Sequence, residues 1–240
     1  MIVEFPRGAE RIRGALRLPD DAAPAPGVVV VPDVWGLSEH YEQVAERLAG
    51  EGYAALALDL YTRGESPQAG GPEGATRFIA ELPDPQVLGD VQAAIDYLGA
   101  LPEVAGRRVG ITGFCMGGMY TFLAACRCRG LSAAAGWYGM LRAERIDAAN
   151  PEHAIDAVAD LGCPALGLFG AEDELIPPSD VEELRRRAER GGLPFETVVY
   201  EGAGHAFNND TRPGAFRPEA SRDAWRRVLA LFERELQPPA

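Results

Sequence analysis

The sequence predicts an α/β fold: a mostly parallel sheet flanked by helices, with an antiparallel hairpin at its N-terminal edge. Short unbroken apolar runs rich in Val, Ala and Leu recur along the chain, and such runs suit strands buried on both faces. Longer segments with apolar residues at helical spacing lie between them, and this alternation implies parallel strands joined by right-handed crossovers. The chain has 240 residues, of which 47% are hydrophobic and 25% charged, an ordinary globular composition that fits one domain spanning residues 1–240.

Taken in order, two alternating segments at residues 2–5 and 12–18 flank Gly8 and read as a hairpin. Residues 27–31 and 53–58 are strands. Between them, residues 38–49 place Tyr41, Val44, Ala45 and Leu48 on one helical face, with Ser38 as N-cap and Gly50 at the exit. Residues 66–74 form a Pro- and Gly-rich surface loop, and residues 86–101 a helix. A strand at 108–112 leads into a helix running through residues 120–126. Strands follow at 133–138, 164–169 and 196–200, helices at 179–190 and 219–236, and a surface loop at 212–218.

Charge and cysteine usage narrow the function. A formal charge of −13 disfavours nucleic acid and anionic membranes, whose recognition needs clustered Lys and Arg. No apolar run reaches membrane-spanning length, and the first seven residues lack the basic and apolar regions of a signal peptide. Cys115, Cys126, Cys128 and Cys163 form neither a disulfide framework nor a Cys-x-x-Cys pair. The expectation is a cytoplasmic protein without metal or cofactor, acting on a small molecule.

The most informative segment joins the strand at 108–112 to the next helix through Gly113-Phe114-Cys115-Met116-Gly117-Gly118. Gly-x-Cys-x-Gly between a strand and a helix is a tight turn whose apex is exposed above the strand ends, facing the helix N-terminus. A cysteine there attacks a carbonyl only with a base to take its proton and a group to orient that base. Of the three histidines, His40 and His153 read as solvated surface residues. His205 follows a strand inside Gly202-Ala203-Gly204-His205, where an α/β-hydrolase carries its base. The acidic loop Glu172-Asp173-Glu174 ends another strand and supplies the carboxylate, with Asp173 preferred over its two neighbours. The order Cys115, Asp173, His205 is nucleophile, acid, base. Cys126, Cys128 and Cys163 read as small core hydrophobes.

The chain resembles the dienelactone hydrolase family over nearly its whole length. The likeness is carried by Pro32-Asp33-Val34-Trp35-Gly36-Leu37, Asp59-Leu60-Tyr61, Gly113-Phe114-Cys115-Met116-Gly117-Gly118, Trp137-Tyr138-Gly139, Gly170-Ala171-Glu172-Asp173 and Gly204-His205-Ala206-Phe207. The resemblance implies an α/β-hydrolase fold without a large cap domain, a Cys115–Asp173–His205 triad, and an oxyanion hole from the Val34 and Met116 amides. Asp33 stands where the family often has a Glu that helps ionise the thiol when substrate arrives, and it is one methylene shorter. Asn209 stands where dienelactone hydrolases place an arginine that holds a substrate carboxylate. Arg63 and Arg77 are the candidate replacements, and Trp35, Tyr138 and Phe207 the candidate pocket walls.

The expected chemistry is hydrolysis of small esters or lactones through a thioester on Cys115. Thiolate leaves more easily than alkoxide or amide, which favours esters over peptides. With Asn209 in the anchor position, only a weak preference for anionic esters is expected. The alternative is a non-hydrolytic thiol protein, a redox sensor or ligand-binding relative using Cys115 without turnover. Sensing needs no Asp173–His205 pair.

Overall fold

The computed structural model describes residues 1–20, 24–64, 82–143 and 146–237. Among these residues, eight strands form one sheet in the order β1-β2-β4-β3-β5-β6-β7-β8. β1 (Ile2–Arg7) and β2 (Glu10–Arg17) make the N-terminal hairpin, and β2 also pairs antiparallel with β4 (Ala54–Leu58). The remaining pairings are parallel: β3 (Ala25–Val31) lies between β4 and β5 (Val104–Phe114). β6 (Leu131–Trp137), β7 (Ala165–Gly170) and β8 (Phe195–Tyr200) follow in turn. Every residue of β3, β4 and β7 is buried, so their continuous apolar runs reflect cover on both faces.

Among the described residues, six helices supply that cover: α1 (Glu39–Gly50), α2 (Asp84–Ala100), α3 (Met116–Arg127), the single-turn α4 (Ala154–Ala157), α5 (Pro178–Gly191) and α6 (Pro218–Leu236). α1 packs on β4 and β2, α2 and α3 pack on each other and on β5, and α6 packs on β6 and β5. Tyr41, Val44, Ala45 and Leu48 form the buried face of α1, as their spacing predicts. The fourth, Leu48, is wholly buried. Burying such a leucine is worth about 1.5–3 kcal/mol.

The strand order fixes where a site can form. β3 leads through α1 to β4 on one side, whereas β5, on its other side, leads through α3 to β6. Their carboxyl ends therefore feed loops that diverge and leave a crevice between them, the place where open α/β sheets hold ligands. The loops after β3, β5, β7 and β8 carry Asp33, Cys115, Asp173 and His205 respectively.

Candidate active site

Cys115 occupies the turn between β5 and α3 with φ 56° and ψ −118°, a conformation costing about 1–3 kcal/mol in a residue with a side chain. Its surroundings hold it there. The Cys115 N–H donates to the Trp137 carbonyl at 3.0 Å, and its own carbonyl accepts from the Met119 N–H at 3.1 Å. Phe114 stacks on Trp137 with ring centroids 5.4 Å apart, and Trp137 Nε1 donates to Thr112 Oγ1 at 3.0 Å. The flanking glycines are needed for close approach. A Cβ on Gly113 would lie 2.2 Å from the Gly117 carbonyl oxygen, and one on Gly117 would lie 2.2 Å from that of Val31. Both distances are far inside van der Waals contact, so the turn excludes every other residue.

Among the described residues, the only others besides glycine with left-handed φ are Tyr138 (39°) and Ala206 (62°). Tyr138 follows β6, and Ala206 directly follows His205. All three strained positions therefore surround the same crevice, the clustering expected where geometry is held for chemistry.

His205 Nδ1 lies 2.8 Å from Asp173 Oδ2, and Asp173 Oδ1 accepts the Leu175 N–H at 2.9 Å. Asp173 is buried while Glu172 and Glu174 are exposed, so of the three acids in this loop it is the one that reaches the histidine. Tyr138 meets the imidazole edge-on at 5.2 Å between ring centroids and limits its rotation. The remaining ring nitrogen, Nε2, is buried without a hydrogen-bond partner among the described residues. Burial opposes a charged ring, but Asp173 and then the neighbouring Cys115 thiol outweigh it and raise the His205 pKa to about 10.

Asp33 begins the loop after β3. Its Oδ1 accepts the Trp35 N–H at 2.9 Å, and the Gly36 N–H donates to its carbonyl at 3.0 Å, forming a tight turn that fixes the Val34 peptide. Tyr61 donates its hydroxyl to the Val34 carbonyl at 2.7 Å. Among the described residues no acceptor takes the Val34 or Met116 amide, and Met116 opens α3, where an N–H has no intrahelical partner. Burial raises the Asp33 pKa against the opposing Trp35 amide, Arg212 guanidinium and Tyr41 hydroxyl.

Arg212 was missed by sequence reasoning. Its Nη2 lies 3.4 Å from Asp33 Oδ2, with the side chain 42% exposed. Asn209 prepares this placement: its Oδ1 accepts both the Thr211 N–H at 3.0 Å and the Thr211 hydroxyl at 2.6 Å, turning the chain toward Asp33. The signal was present in the arginine three residues beyond Asn209, within the segment read as a surface loop.

Several expectations need correction. Arg63 is not in the crevice: its guanidinium bonds both oxygens of buried Asp90, at 2.7 and 2.8 Å, and also Glu10. Phe207 has no exposed surface and packs behind Tyr138, so it supports the wall rather than forming it. Tyr138 is only 2% exposed and acts on the imidazole edge. Trp35 is partly exposed. His40 is buried, with Nδ1 3.3 Å from Asp210, so it is not a solvated surface residue, whereas His153 is partly exposed and its Nδ1 accepts the Ala143 N–H at 3.0 Å. Arg77 and the loop at 66–74 lie outside the described residues. Among the described residues no cluster of His, Cys, Asp or Glu could hold a metal ion, and no helix is long and apolar enough to cross a membrane.

The sequence profile of the dienelactone hydrolase family matches residues 12–236. The chain belongs to this family. A Salmonella typhimurium relative named "Putative carboxymethylenebutenolidase" is 39% identical over 212 residues, covering 86% of this chain and 76% of the relative. A Klebsiella pneumoniae crystal structure named "Putative Dienelactone Hydrolase" superposes with a TM-score of 0.91 at 36% identity, covering 98% of both chains. A dienelactone hydrolase-like promiscuous phosphotriesterase from metagenomic libraries superposes with a TM-score of 0.83 at 26% identity, covering 99% of this chain and 98% of the other. Membership of the dienelactone hydrolase family makes the chain a lactone- and ester-hydrolysing enzyme and favours that reading over a thiol sensor.

Proposed function

We propose that this dienelactone hydrolase homologue cleaves small carboxylate-bearing lactones or esters through a thioester on Cys115. The observation that carries the reading is the His205–Asp173 contact beside a cysteine held at a strained strand–helix turn. His205 takes the Cys115 proton, and Sγ attacks the substrate carbonyl carbon. As the C–S bond forms, the carbonyl π pair becomes an oxyanion, for which the free Val34 and Met116 amides are the donors. The oxyanion collapses, the C–O bond to the alcohol breaks, and His205 returns its proton to the leaving alkoxide. The same ring then deprotonates a water that attacks the thioester. The C–S bond breaks, the acid leaves and the thiol is restored. Asp173 fixes the tautomer and stabilises the imidazolium throughout.

Arg212 is the anchor for the substrate carboxylate in place of the arginine replaced by Asn209. A bound carboxylate competes with Asp33 for its guanidinium, and the released Asp33, made more basic by burial, helps ionise the thiol. The relative's carboxymethylenebutenolidase name fits a substrate that carries a carboxylate. A panel of anionic and neutral esters and lactones tests the reading with wild type, Cys115→Ala and Arg212→Ala. Turnover lost in the first variant and anion preference lost in the second is the expected result. Ester turnover that survives Cys115→Ala would overturn the nucleophile.

A further inference from the structure

Two side chains reach from the loop after His205 to the segment that follows β3. One is Arg212, on Asp33; the other is Asp210, whose Oδ1 lies 3.3 Å from His40 Nδ1 at the start of α1. The root of this loop is tied to α6 instead. Asn208 Oδ1 accepts the Ser221 hydroxyl at 2.7 Å and the Trp225 indole N–H at 2.8 Å, and the Arg217 N–H donates to the Phe207 carbonyl at 2.9 Å. Those two side chains apart, the tip is tied only within the loop itself, where the Arg212 carbonyl accepts the Ala215 and Phe216 N–H groups, both at 2.9 Å. Between it and α1 lies a cleft of about 120 Å³ lined by His40, Val44, Arg47, Asn208, Asp210 and Trp225, among others. Close packing therefore does not hold the tip against α1, and polar contacts across the cleft must do so.

We infer that His40 is a positioning residue: by gripping Asp210 it holds the 209–212 turn so that Arg212 meets the substrate carboxylate, and so sets the preference for anionic substrates. The inference rests on the proposed role of Arg212. His40 suits the task because it is itself fixed. It is 92% buried, since its exposure is 8%, and its ring packs edge-on against Tyr41 at 5.0 Å between centroids. Asp210 and Arg212 are two residues apart, with Thr211 between them bonded to Asn209, so a shift of Asp210 moves Arg212 with it. The His40 ring also lies near enough to Asp33 and Arg212 to act on their charges directly, and Asp210→Ala, which leaves His40 in place, isolates the route through the loop.

The test compares kcat/KM for an anionic ester and its neutral isostere in wild type, His40→Ala, His40→Asn and Asp210→Ala. An asparagine amide can take the place of Nδ1 as donor to Asp210, whereas alanine cannot. The expected result is a roughly tenfold fall in the anion-over-neutral ratio for His40→Ala and Asp210→Ala, expressed in KM for the anion, with His40→Asn recovering most of it. Adding Arg212→Ala to His40→Ala should lower the ratio no further than Arg212→Ala alone. If His40→Ala misfolds, Asp210→Ala, altered at a largely exposed loop side chain, still decides. A wild-type ratio that falls with Arg212→Ala but is unmoved by Asp210→Ala overturns the positioning role of His40. A wild-type ratio near one, unchanged by Arg212→Ala, overturns the Arg212 reading on which it stands.

Discussion

Asp173 Oδ2 and His205 Nδ1 stand 2.8 Å apart although the residues are 32 positions apart in the chain and lie in loops after different strands. The second oxygen of Asp173 is held by the Leu175 amide, so the carboxylate presents one fixed oxygen to the ring. This arrangement sets the tautomer of His205 with Nε2 turned away from the acid.

Asp173→Asn and His205→Ala are expected to lower kcat/KM by about three to four orders of magnitude each, by analogy with triads of this kind. The double variant should lose little more than either alone. Glu172→Gln and Glu174→Gln should change turnover less than about threefold, since both are exposed and neither contacts His205. Loss in either of these matching that in Asp173→Asn would move the acid elsewhere in the loop.

A thiol alkylator should modify Cys115 first. Burial pushes the thiols of Cys126, Cys128 and Cys163 each up to about 12, leaving almost no thiolate at neutral pH. Cys115 instead sits at the N-terminus of α3 beside the His205 imidazole, a setting that favours a reactive thiol. Peptide mapping against time checks the order, and earlier labelling of any of the other three would contradict it.

Arg212→Ala should reduce kcat/KM for an anionic ester by about ten- to a hundredfold relative to the neutral analogue. That corresponds to the roughly 1.5–3 kcal/mol of a charge-assisted contact. Asp33→Asn should instead lower kcat, because Arg212 remains but the carboxylate proposed to assist thiol ionisation is lost. Steady-state kinetics on the matched ester pair separates the two outcomes.

The histidine also shapes stability. The folded-state pKa of His205, about 10, lies above its ordinary 6.5, so the folded form holds the proton more tightly. Its contribution is therefore fully present below about pH 6.5 and is lost as pH rises through about 10. The Tm difference between wild type and His205→Ala should be greatest near pH 6 and shrink toward pH 10.5. A difference growing with pH across that range would reverse the sign.

The sheet was legible because β3 and β4 are buried on both faces and so lack polar interruptions, and their bounds fall within two residues of those read from the sequence. Cys115 was legible through glycines that no other residue can replace at those approaches. What stayed hidden depends on contacts between distant segments. Arg63 follows a strand end near the crevice in sequence, but Asp90 of α2 and Glu10 of β2 draw its guanidinium away. Arg212 lies in a Pro- and Gly-rich stretch with no periodicity, and contacts made by the folded loop, the Asn209 turn among them, direct it to Asp33. His40 occupies a charged, acidic part of α1, yet the loop carrying Asp210 covers it.

Mass spectrometry of the enzyme quenched during turnover of p-nitrophenyl acetate shows whether Cys115 carries the acyl group. The expected result is a transient gain of one acetyl group on the peptide containing Cys115, longer-lived in His205→Ala, which lacks the base for thioester hydrolysis, and absent from Cys115→Ala, which also fails to release p-nitrophenol. Undiminished p-nitrophenol release by Cys115→Ala, with no acetyl found on Cys115 of the wild type, would contradict it.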